Sequence, residues 1–567
     1  MTGRGRAGFR LLAAALLLCA ACEKDPNDAS TWIDKLDSPA ELDDAVRNLE
    51  RLKDPRSIPP LGKLWKKMNH PSKVLRVIIT IAKHPDEKTG KTHFEAALPF
   101  LQEAVDGFDP GDERSIDDAT VACDALGQAK DKDSVATLIN AAQKAMPKLS
   151  PANRVRIAAV KALGQFKDPR AVDVLIKVLS ADPEQQRVQL HAAAALALAE
   201  TGDPKALPEL TKALFIGPIS SFVRRAISRV GRPALPAMIA LYQEKDPAIL
   251  KMAEEKKWKE KAPGTMVYMG ALVLGDLHAR EAAKMLVDGL KAAPRVSYYD
   301  KNGAPGPSTH MAILEALQYI GDPATAAPLY QFALDKATDD GVRPRAIDVY
   351  SWVATDTAAL PQLLSYISDP DTEYDLKMVS IIAYGRIART DADARPIDAM
   401  IRTWEGKVKA AEEKGKAAKT PLDKNAAEGE RAQADGMKST LQDTRYRIDI
   451  AIQCKQDAMC YVKAIGEKDV AVGKPGLPKA ERALIELYKM GDKAKPALDP
   501  LLKFADSSER MIRQGVNLAL PRVAPKPCKP CADRLHQVIE NQASQTTLDA
   551  LNAETRIVYH YFLWAGT

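Results

Sequence analysis

The feature that most constrains the fold is a short turn motif that recurs after helix-like segments. Gly202-Asp203-Pro204 and Gly321-Asp322-Pro323 each follow a run rich in Ala and Leu, and a second apolar segment follows each turn. In such a motif glycine ends one helix in the left-handed conformation, aspartate caps the next helix and proline fills its first turn. Related turns are Lys53-Asp54-Pro55, Lys167-Asp168-Pro169, Gly275-Asp276-Leu277 and Gly491-Asp492-Lys493.

The spacing of these turns indicates one structural unit that is repeated. Asp168 lies 35 residues before Asp203, and Asp322 lies 34 residues before Asp356. Asp391 follows Asp356 after another 35 residues. Units of this length with two helices each are typical of an α-solenoid. We therefore expect an all-α fold, a right-handed superhelix of helix pairs, in place of several unrelated domains.

Two segments resemble a known family of repeats. They begin Arg154-Val-Arg-Ile-Ala-Ala-Val and Arg187-Val-Gln-Leu-His-Ala-Ala, and both are similar to bacterial HEAT-like repeats of the phycobilisome-lyase type. Weaker copies follow over most of the chain outside the leader and one insertion. In that family the repeats are a general scaffold, so the resemblance implies the fold and a binding role without implying lyase activity.

The repeats and the composition predict five parts of the chain. They are a leader at 1–21, a tether at 22–35, a repeat array at 36–403, a charged polar insertion at 404–447 and C-terminal repeats at 448–567. The insertion mixes Ala, Lys, Glu and Gly with few large apolar residues. We expect it to form either a protruding hairpin of two polar helices or a partly disordered linker.

The N-terminus has the pattern of an export signal. Three arginines and no acid fall in the first ten residues, and an apolar run at 11–18 follows that is too short to span a bilayer. Cys22 comes directly after two alanines, which resembles the lipidated cysteine of bacterial lipoproteins, although Cys19 stands where that pattern prefers leucine. The alternative is an ordinary secretory signal with incidental cysteines.

The lipoprotein resemblance implies a location. A lipid on Cys22 would be the only membrane attachment, and Glu23 favours the outer membrane because aspartate at that place retains enterobacterial lipoproteins at the inner membrane. The protein would face the periplasm or the cell surface. Cleavage before Cys22 removes three positive charges from the net charge of +6 and leaves +3. A nearly neutral exported chain is not expected to bind nucleic acid.

Four cysteines beyond the leader lie in two close pairs. An oxidising compartment favours disulfides within each pair, Cys454 with Cys460 and Cys528 with Cys531. A redox dithiol at the second pair and a zinc site built from all four remain alternatives, which the compartment disfavours. Cys123 lies on a small apolar helix segment and is expected to be a buried free thiol.

Five arginines occur early in the predicted first helices. A basic stripe for anionic ligands is one interpretation. We favour a structural ladder, in which each arginine pairs with an aspartate of the neighbouring repeat, because contacts between neighbours stabilise solenoids. The five are Arg156, Arg187, Arg224, Arg345 and Arg513.

No pattern in the sequence supports catalysis or a cofactor. Gly90-Lys91-Thr92 is similar to the end of a phosphate-binding loop, but Pro85 stands where its first glycine is required. The eight histidines show no pair at helical ligand spacing. We therefore predict no catalytic residue, no metal site and no cofactor.

The best candidate for a binding contact is an insertion at 296–311 between paired helices. Insertions in repeat proteins tend to lie on one face, and tyrosines supply contact area at low entropic cost. We predict a non-enzymatic scaffold that binds a protein or peptide. The alternative is an envelope enzyme or modification factor with a site at this insertion, where His310, Tyr298 and Asp300 would converge. The candidate contact residues are Tyr298, Tyr299, Asn302 and His310.

Overall fold

The computed structural model is helical, and the predicted all-α class is confirmed. It describes residues 25–166, 168–258, 263–292, 308–335, 337–339, 341–467, 469–543 and 553–566. Within these ranges the regular structure consists of α-helices and short 3-10 helices, without a strand. None of these helices has the length and apolar character that a membrane span requires. The chain divides into two compact units, Met1–Phe222 and Val223–Thr567.

Unit 1 is a two-layer array of helix pairs. Its helices are α1 (Ala29–Ile33), α2 (Leu42–Leu52), α3 (Ile58–Lys67), α4 (Ser72–Lys83), α5 (Phe94–Asp106), α6 (Glu113–Ala129), α7 (Ser134–Gln143), α8 (Asn153–Gly164), α9 (Pro169–Ser180), α10 (Val188–Thr201) and α11 (Ala206–Ala213). From α2 onward, the even-numbered helices pack side by side in one layer and the odd-numbered helices pack in the other. This order is that of an α-solenoid.

Part of the predicted tether at 22–35 is helical. Residues within 22–35 form α1, which packs on α2. Ala29 and Thr31 are buried in this contact, and the side chain of Asp28 caps the helix by accepting the N–H of Ser30. A small apolar contact and a capping aspartate therefore order part of a segment that has few large apolar residues.

The turn motif works as predicted in several repeats. Gly202 and Gly321 end α10 and a helix of unit 2 with φ of 67° and 65°. The side chain of Asp168 caps α9 by accepting the N–H of Arg170 at 2.9 Å. Asp54 accepts the N–H of Arg56 in the same way.

Unit 2 begins within α12 and contains the longer helices of the chain. These are α12 (Ser220–Val230), α13 (Leu235–Tyr242), α14 (Pro247–Glu255), α15 (Thr265–Asp276), α16 (Ala283–Ala292), α17 (Thr309–Ile320), α18 (Ala326–Leu334), α19 (Arg343–Val353), α20 (Leu360–Ser368), α21 (Tyr374–Ile387), α22 (Asp391–Ala417), α23 (Pro421–Cys454), α24 (Ala458–Ile465), α25 (Gly476–Met490), α26 (Leu498–Leu502), α27 (Arg510–Val523), α28 (Lys529–Ala543) and α29 (Ala553–Trp564).

The turn motif fails at Gly275 and Asp276. Both residues remain inside α15, and the left-handed residue that follows is His278 with φ of 47°. Gly275 packs against α17, where an added Cβ would lie 2.8 Å from the Cα atom of Ala316. Asp276 is only 1% exposed and pairs with Arg224. Close packing and a buried ion pair have therefore replaced the predicted capping role.

The first helices of successive pairs in unit 2 form a closed ring. Each odd-numbered helix from α15 to α29 packs on the next, and α29 returns to pack on α15. His560 on α29 places Nδ1 3.1 Å from the carbonyl oxygen of Arg225. Trp564 donates its indole N–H to the carbonyl oxygen of Ser228 at 3.1 Å. The last helix therefore covers the beginning of the unit.

Of the two alternatives for the polar insertion, the structure shows the hairpin of two helices. Helices α22 and α23 pack along each other, and the pair Lys414–Glu430 joins them at 2.7 Å. Small side chains such as Ala411 and Ala427 are buried between the helices. Both helices extend beyond 404–447, and the end of α23 carries Ile448 into the core of the ring.

Candidate functional site

The predicted binding loop is described only at its C-terminal end. Tyr298, Tyr299, Asp300 and Asn302 lie outside the described residues. His310 is buried at the start of α17, with Nε2 3.2 Å from the carbonyl oxygen of Leu290. Its ring stacks on Phe332, with 6.0 Å between the centroids. The packing of α16, α17 and α18 therefore holds this side chain in place.

The cysteines adopt the states that an oxidising compartment favours. The structure joins Cys454 to Cys460 and Cys528 to Cys531 as disulfides. In this state none of the four sulfurs can act as a thiolate ligand or as a dithiol. Cys123 is a buried free thiol on α6, and burial raises the pKa of its thiol. Cys22 lies outside the described residues.

The predicted arginine ladder is wrong for four of its five members. Arg224 on α12 does donate to both carboxylate oxygens of Asp276 on α15, each at 2.9 Å. Three of the others meet backbone carbonyl oxygens instead, because helix ends and turns leave such oxygens without an intrahelical partner. Arg156, Arg187 and Arg513 donate to backbone carbonyls, and Arg345 pairs with Asp348 of its own helix.

A buried charge cluster that the sequence did not reveal fills the interior of the ring. Glu481 on α25 pairs with Arg386 on α21 and Arg447 on α23, each at 2.6 Å. Arg386 also reaches Asp348 on α19 at 2.5 Å. Burial raises the pKa of Glu481, but the two guanidinium groups outweigh it and lower that pKa to about 2. These pairs fix four helices relative to one another.

The next turn of α25 continues this charge cluster. Arg482 is fully buried and pairs with Glu486 at 2.9 Å, and Arg389 pairs with the same carboxylate at 3.1 Å. Lys489 donates to the carbonyl oxygen of Arg386, and burial lowers the pKa of its ammonium group well below the ordinary range. Such mutually paired, inaccessible charges serve the structure and offer no site to a ligand.

A second group of charges is open to solvent and forms the candidate site. A cleft of about 540 Å³ lies where the turns after α15, α25 and α27 meet α29. We call it the cationic cleft. Its charged or titratable lining residues are His278, Arg280, Asp492, Lys493, Lys495, Arg522, Lys526 and Tyr561.

The cations of the cationic cleft are poorly neutralised. Asp492 pairs with Lys495 at 3.4 Å. No carboxylate among the described residues lies within 4.0 Å of the charged nitrogens of Arg280, Arg522 or Lys526. The Nε–H of Arg522 is buried without a hydrogen-bond partner in the same part of the chain. The cleft therefore concentrates positive potential.

Aromatic rings and repulsion set the electrostatics of these cations. The Arg522 guanidinium lies 5.8 Å from the ring centroid of Tyr488, and the Lys526 ammonium lies 5.3 Å from that of Tyr561. Burial lowers the pKa of both cations, and repulsion from Arg280 adds to this for each of them. A negative group placed among them would relieve this repulsion.

His278 completes one wall of the cationic cleft as a neutral side chain. Its Nδ1 lies 2.8 Å from the carbonyl oxygen of Tyr319 and its ring lies 4.8 Å from that of Tyr561. Burial lowers the pKa of His278 to about 4, and the cations Lys526 and Arg522 act in the same direction. At neutral pH the imidazole is therefore uncharged and a weak base.

The sequence does not reveal the cationic cleft, because the charged and aromatic side chains that line it come from four distant parts of the chain. Lys493 belongs to one of the recognised turns, and Lys526 lies in the proline-rich segment before Cys528. A signal was present, since cations follow the C-terminal ends of α15, α25 and α27. Closure of the ring, which brings those ends together, is not visible in the pattern of residues.

Comparison with known families identifies the repeats. The profile described as HEAT repeats matches residues 112–193 and 145–227, which span α6 to α12. The fold places the protein in the class of helical-repeat α-solenoids. The repeats within 112–227 are HEAT repeats.

Solved structures of other helical-repeat proteins resemble the chain weakly. Yeast importin-β (Kap95p) is 14% identical over 99% of this chain and 70% of its own, with a TM-score of 0.34. The Nostoc phycocyanin lyase complex of CpcE and CpcF is 18% identical over 53% and 94%, with a TM-score of 0.20. Human deoxyhypusine hydroxylase is 17% identical over 52% and 96%, with a TM-score of 0.18. Likenesses of this size assign no function, and no curated protein sequence matches the chain.

Proposed function

We propose that this protein is a non-enzymatic HEAT-repeat scaffold of the cell envelope. A lipid on Cys22 would hold it at the outer membrane, with the repeats on the periplasmic side or at the cell surface. The leader at 1–21 supports export, and Glu23 after the cysteine supports the outer membrane. The two disulfides agree with an oxidising compartment.

The cationic cleft is the observation that supports a binding function. It is preformed by turns that the closed ring supports, and its unpaired cations attract a partner of opposite charge. Burial lowers the pKa of His278, which lines the cleft, to about 4, and this disfavours general base catalysis by that side chain near neutral pH. His310, which the enzyme alternative requires, is held in packing. We propose that the partner is a protein or peptide that docks over the cleft.

Attachment by lipid is tested by labelling cells with radioactive palmitate. The wild-type protein is expected to incorporate the label, and Cys22→Ala is expected to lose it. Cys19→Ala serves as the matched control and is expected to keep the label. Equal labelling of Cys22→Ala and the wild type would contradict the lipid anchor.

Docking at the cleft is tested by photo-crosslinking in the intact envelope. A photoreactive amino acid at Lys493, on the rim of the cleft, is expected to capture a protein of defined mass. The control position is Lys284 on α16, which is exposed and does not line the cleft. Capture of the same proteins at both positions, or of none at Lys493, would contradict docking over this cleft.

A further inference from the structure

The cationic cleft has the chemistry of a site for a particular class of ligand. We infer that it binds a multiply charged oxyanion, a group that carries several phosphates or several carboxylates. This inference rests on the proposed function in that both place binding in the same cleft. The further step is to specify the charge and the chemical type of the group that occupies the cleft.

The contrast between the two arginine environments of unit 2 is the first argument. In the interior of the ring, the guanidinium groups of Arg386, Arg447 and Arg224 each meet a carboxylate of the same unit. Arg522 is also partly buried, but no carboxylate of the described chain forms a salt bridge with it or with Arg280, and Asp322 and Asp492 attract Arg522 only at longer range. Unit 2 pairs its interior arginines with carboxylates but leaves Arg280 and Arg522 without a salt bridge in the described chain. We therefore expect their counter-anion to be a bound ligand.

The donor geometry is the second argument. A guanidinium group presents N–H donors in a planar fork that fits two oxygens of a phosphate or carboxylate. Arg522 holds a buried Nε–H without a hydrogen-bond partner in the described chain, and its guanidinium group lies 5.8 Å from the ring centroid of Tyr488. Lys526 and Lys493 add point charges from two other segments. A ligand with several oxyanion groups can contact more than one of these cations at once.

The dimensions of the cleft limit the size of this ligand. A volume of about 540 Å³ lies within the range of ordinary small-molecule sites, roughly 300–1,000 Å³. Such a volume admits one small compound or a few residues of an acidic chain. Ile320 and Pro521 supply apolar lining beside the charges.

Helix dipoles alone do not account for the arrangement. Cations at the C-terminal ends of helices are favourable by about 0.3–1 kcal/mol each, and three helices end at the cleft. That effect explains a cation at each end separately. It does not explain their convergence, because Arg280 repels both Arg522 and Lys526 and lowers their pKa values.

Calorimetric titration of the purified full-length protein in detergent tests the inference. The probes are tripolyphosphate for phosphate groups and citrate for carboxylates, each at low and at high salt. At least one probe is expected to bind with one site per chain, and the affinity should fall with salt. Binding of only one probe identifies the source of the oxyanion. Absence of binding by both probes would overturn the inference.

Two cleft variants and two matched controls make the titration specific. Arg280→Gln and Lys526→Gln are each expected to weaken binding about tenfold or more, as loss of a charge-assisted hydrogen bond does. Arg47→Gln and Lys284→Gln change exposed cations outside the cleft and should leave the affinity unchanged. Equal losses in all four variants would show unspecific attraction and overturn the site.

The stability of the ligand-free variants separates binding from a structural role. Because Arg280 repels neighbouring cations, Arg280→Gln is expected to keep or raise the Tm while it weakens binding. A lowered Tm together with unchanged affinity would assign Arg280 to the fold and overturn the inference.

If titration shows no binding but crosslinking at Lys493 still captures a protein, the oxyanion inference is wrong and the proposed docking stands. If titration shows binding but crosslinking captures no protein, the oxyanion site stands and the proposed docking of a protein is wrong.

Discussion

At the scale of single residues, burial and pairing decide what a charge does in this protein. Glu481 and Arg522 both lie at the inner helices of the ring, yet Glu481 pairs with two guanidinium groups and Arg522 has no salt bridge in the described chain. Removing one partner from a buried pair leaves an uncompensated charge, which costs far more than the pair contributes. Substitutions in the buried charge cluster around Glu481 should therefore affect stability, and substitutions of the cations in the cationic cleft should affect binding.

Glu481→Gln should strongly destabilise unit 2. The substitution leaves Arg386 and Arg447 without their shared counter-charge, and we expect a loss of about 3–5 kcal/mol in the free energy of unfolding. Urea denaturation measures this loss. Glu41→Gln removes an exposed pair with Lys35 and should change the free energy by less than about 1 kcal/mol. Similar effects of the two substitutions would refute the structural role of the cluster.

The histidines His278 and His560 predict how the stability depends on pH. Burial lowers the pKa of both His278 and His560 to about 4 in the folded protein, against about 6.5 when unfolded. The unfolded state therefore binds more protons between these values, and the free energy of unfolding falls as the pH drops from about 6.5 to 4. His278→Asn and His560→Asn, which can keep the Nδ1 hydrogen bond, should each reduce this slope in pH-dependent denaturation. An unchanged slope in both variants would contradict the assignment.

Local chemistry was predictable where neighbouring residues determine it. The caps at Asp168 and Asp54 and the pairing of Cys528 with Cys531 depend on residues close in sequence. The partners of the ladder arginines were not predictable, because a carbonyl at a helix end competes with a distant aspartate. The charge cluster joins Arg386 to Glu481, 95 residues away, and only the fold brings them together.

At the scale of helices, glycine has two roles that the sequence does not distinguish. Gly275 lies where α15 meets α17, and an added Cβ would come within 2.8 Å of the Cα atom of Ala316. Gly429 lies on the exposed part of α23, with no atom within 4 Å of such a Cβ. Both residues lie inside helices, where alanine is intrinsically preferred to glycine.

This difference predicts opposite effects of the same substitution. Gly275→Ala should destabilise unit 2 by about 1–3 kcal/mol, because the two helices must move apart. Gly429→Ala should be neutral or stabilise the hairpin by up to about 1 kcal/mol. Thermal denaturation of both variants measures the two effects. Stabilisation by Gly275→Ala would show that α15 and α17 are not closely packed at this point.

At the scale of the molecule, the repeat could be predicted and the closure of unit 2 could not. A period of about 35 residues indicates helix pairs. The curvature of the array is the sum of small rotations between successive pairs, and these rotations cannot be read from neighbouring residues in the sequence. The contact of Trp564 with Ser228 spans 336 residues of sequence. Without this closure the cations of the cleft would stay apart. The right-handed sense of the superhelix stays a prediction.

Closure of the ring predicts a long-range effect of the last helix. Trp564→Ala removes the contacts of α29 with Ser228 and Gly231, so the amides of α12 should lose protection from hydrogen exchange. Mass spectrometry of peptic fragments measures this loss. Trp404→Ala on the hairpin is the control and should leave α12 unchanged. Undiminished protection of α12 in Trp564→Ala would contradict the closed ring.

As a scaffold, the protein is expected to bind its partner through the cationic cleft. The most direct test compares crosslinking at Lys493 in the wild type and in the double variant Arg280→Glu/Lys526→Glu. Reversal of two charges should reduce capture of the partner by at least about tenfold, and 0.5 M salt should weaken wild-type capture as well. Undiminished capture by the double variant would contradict the claim.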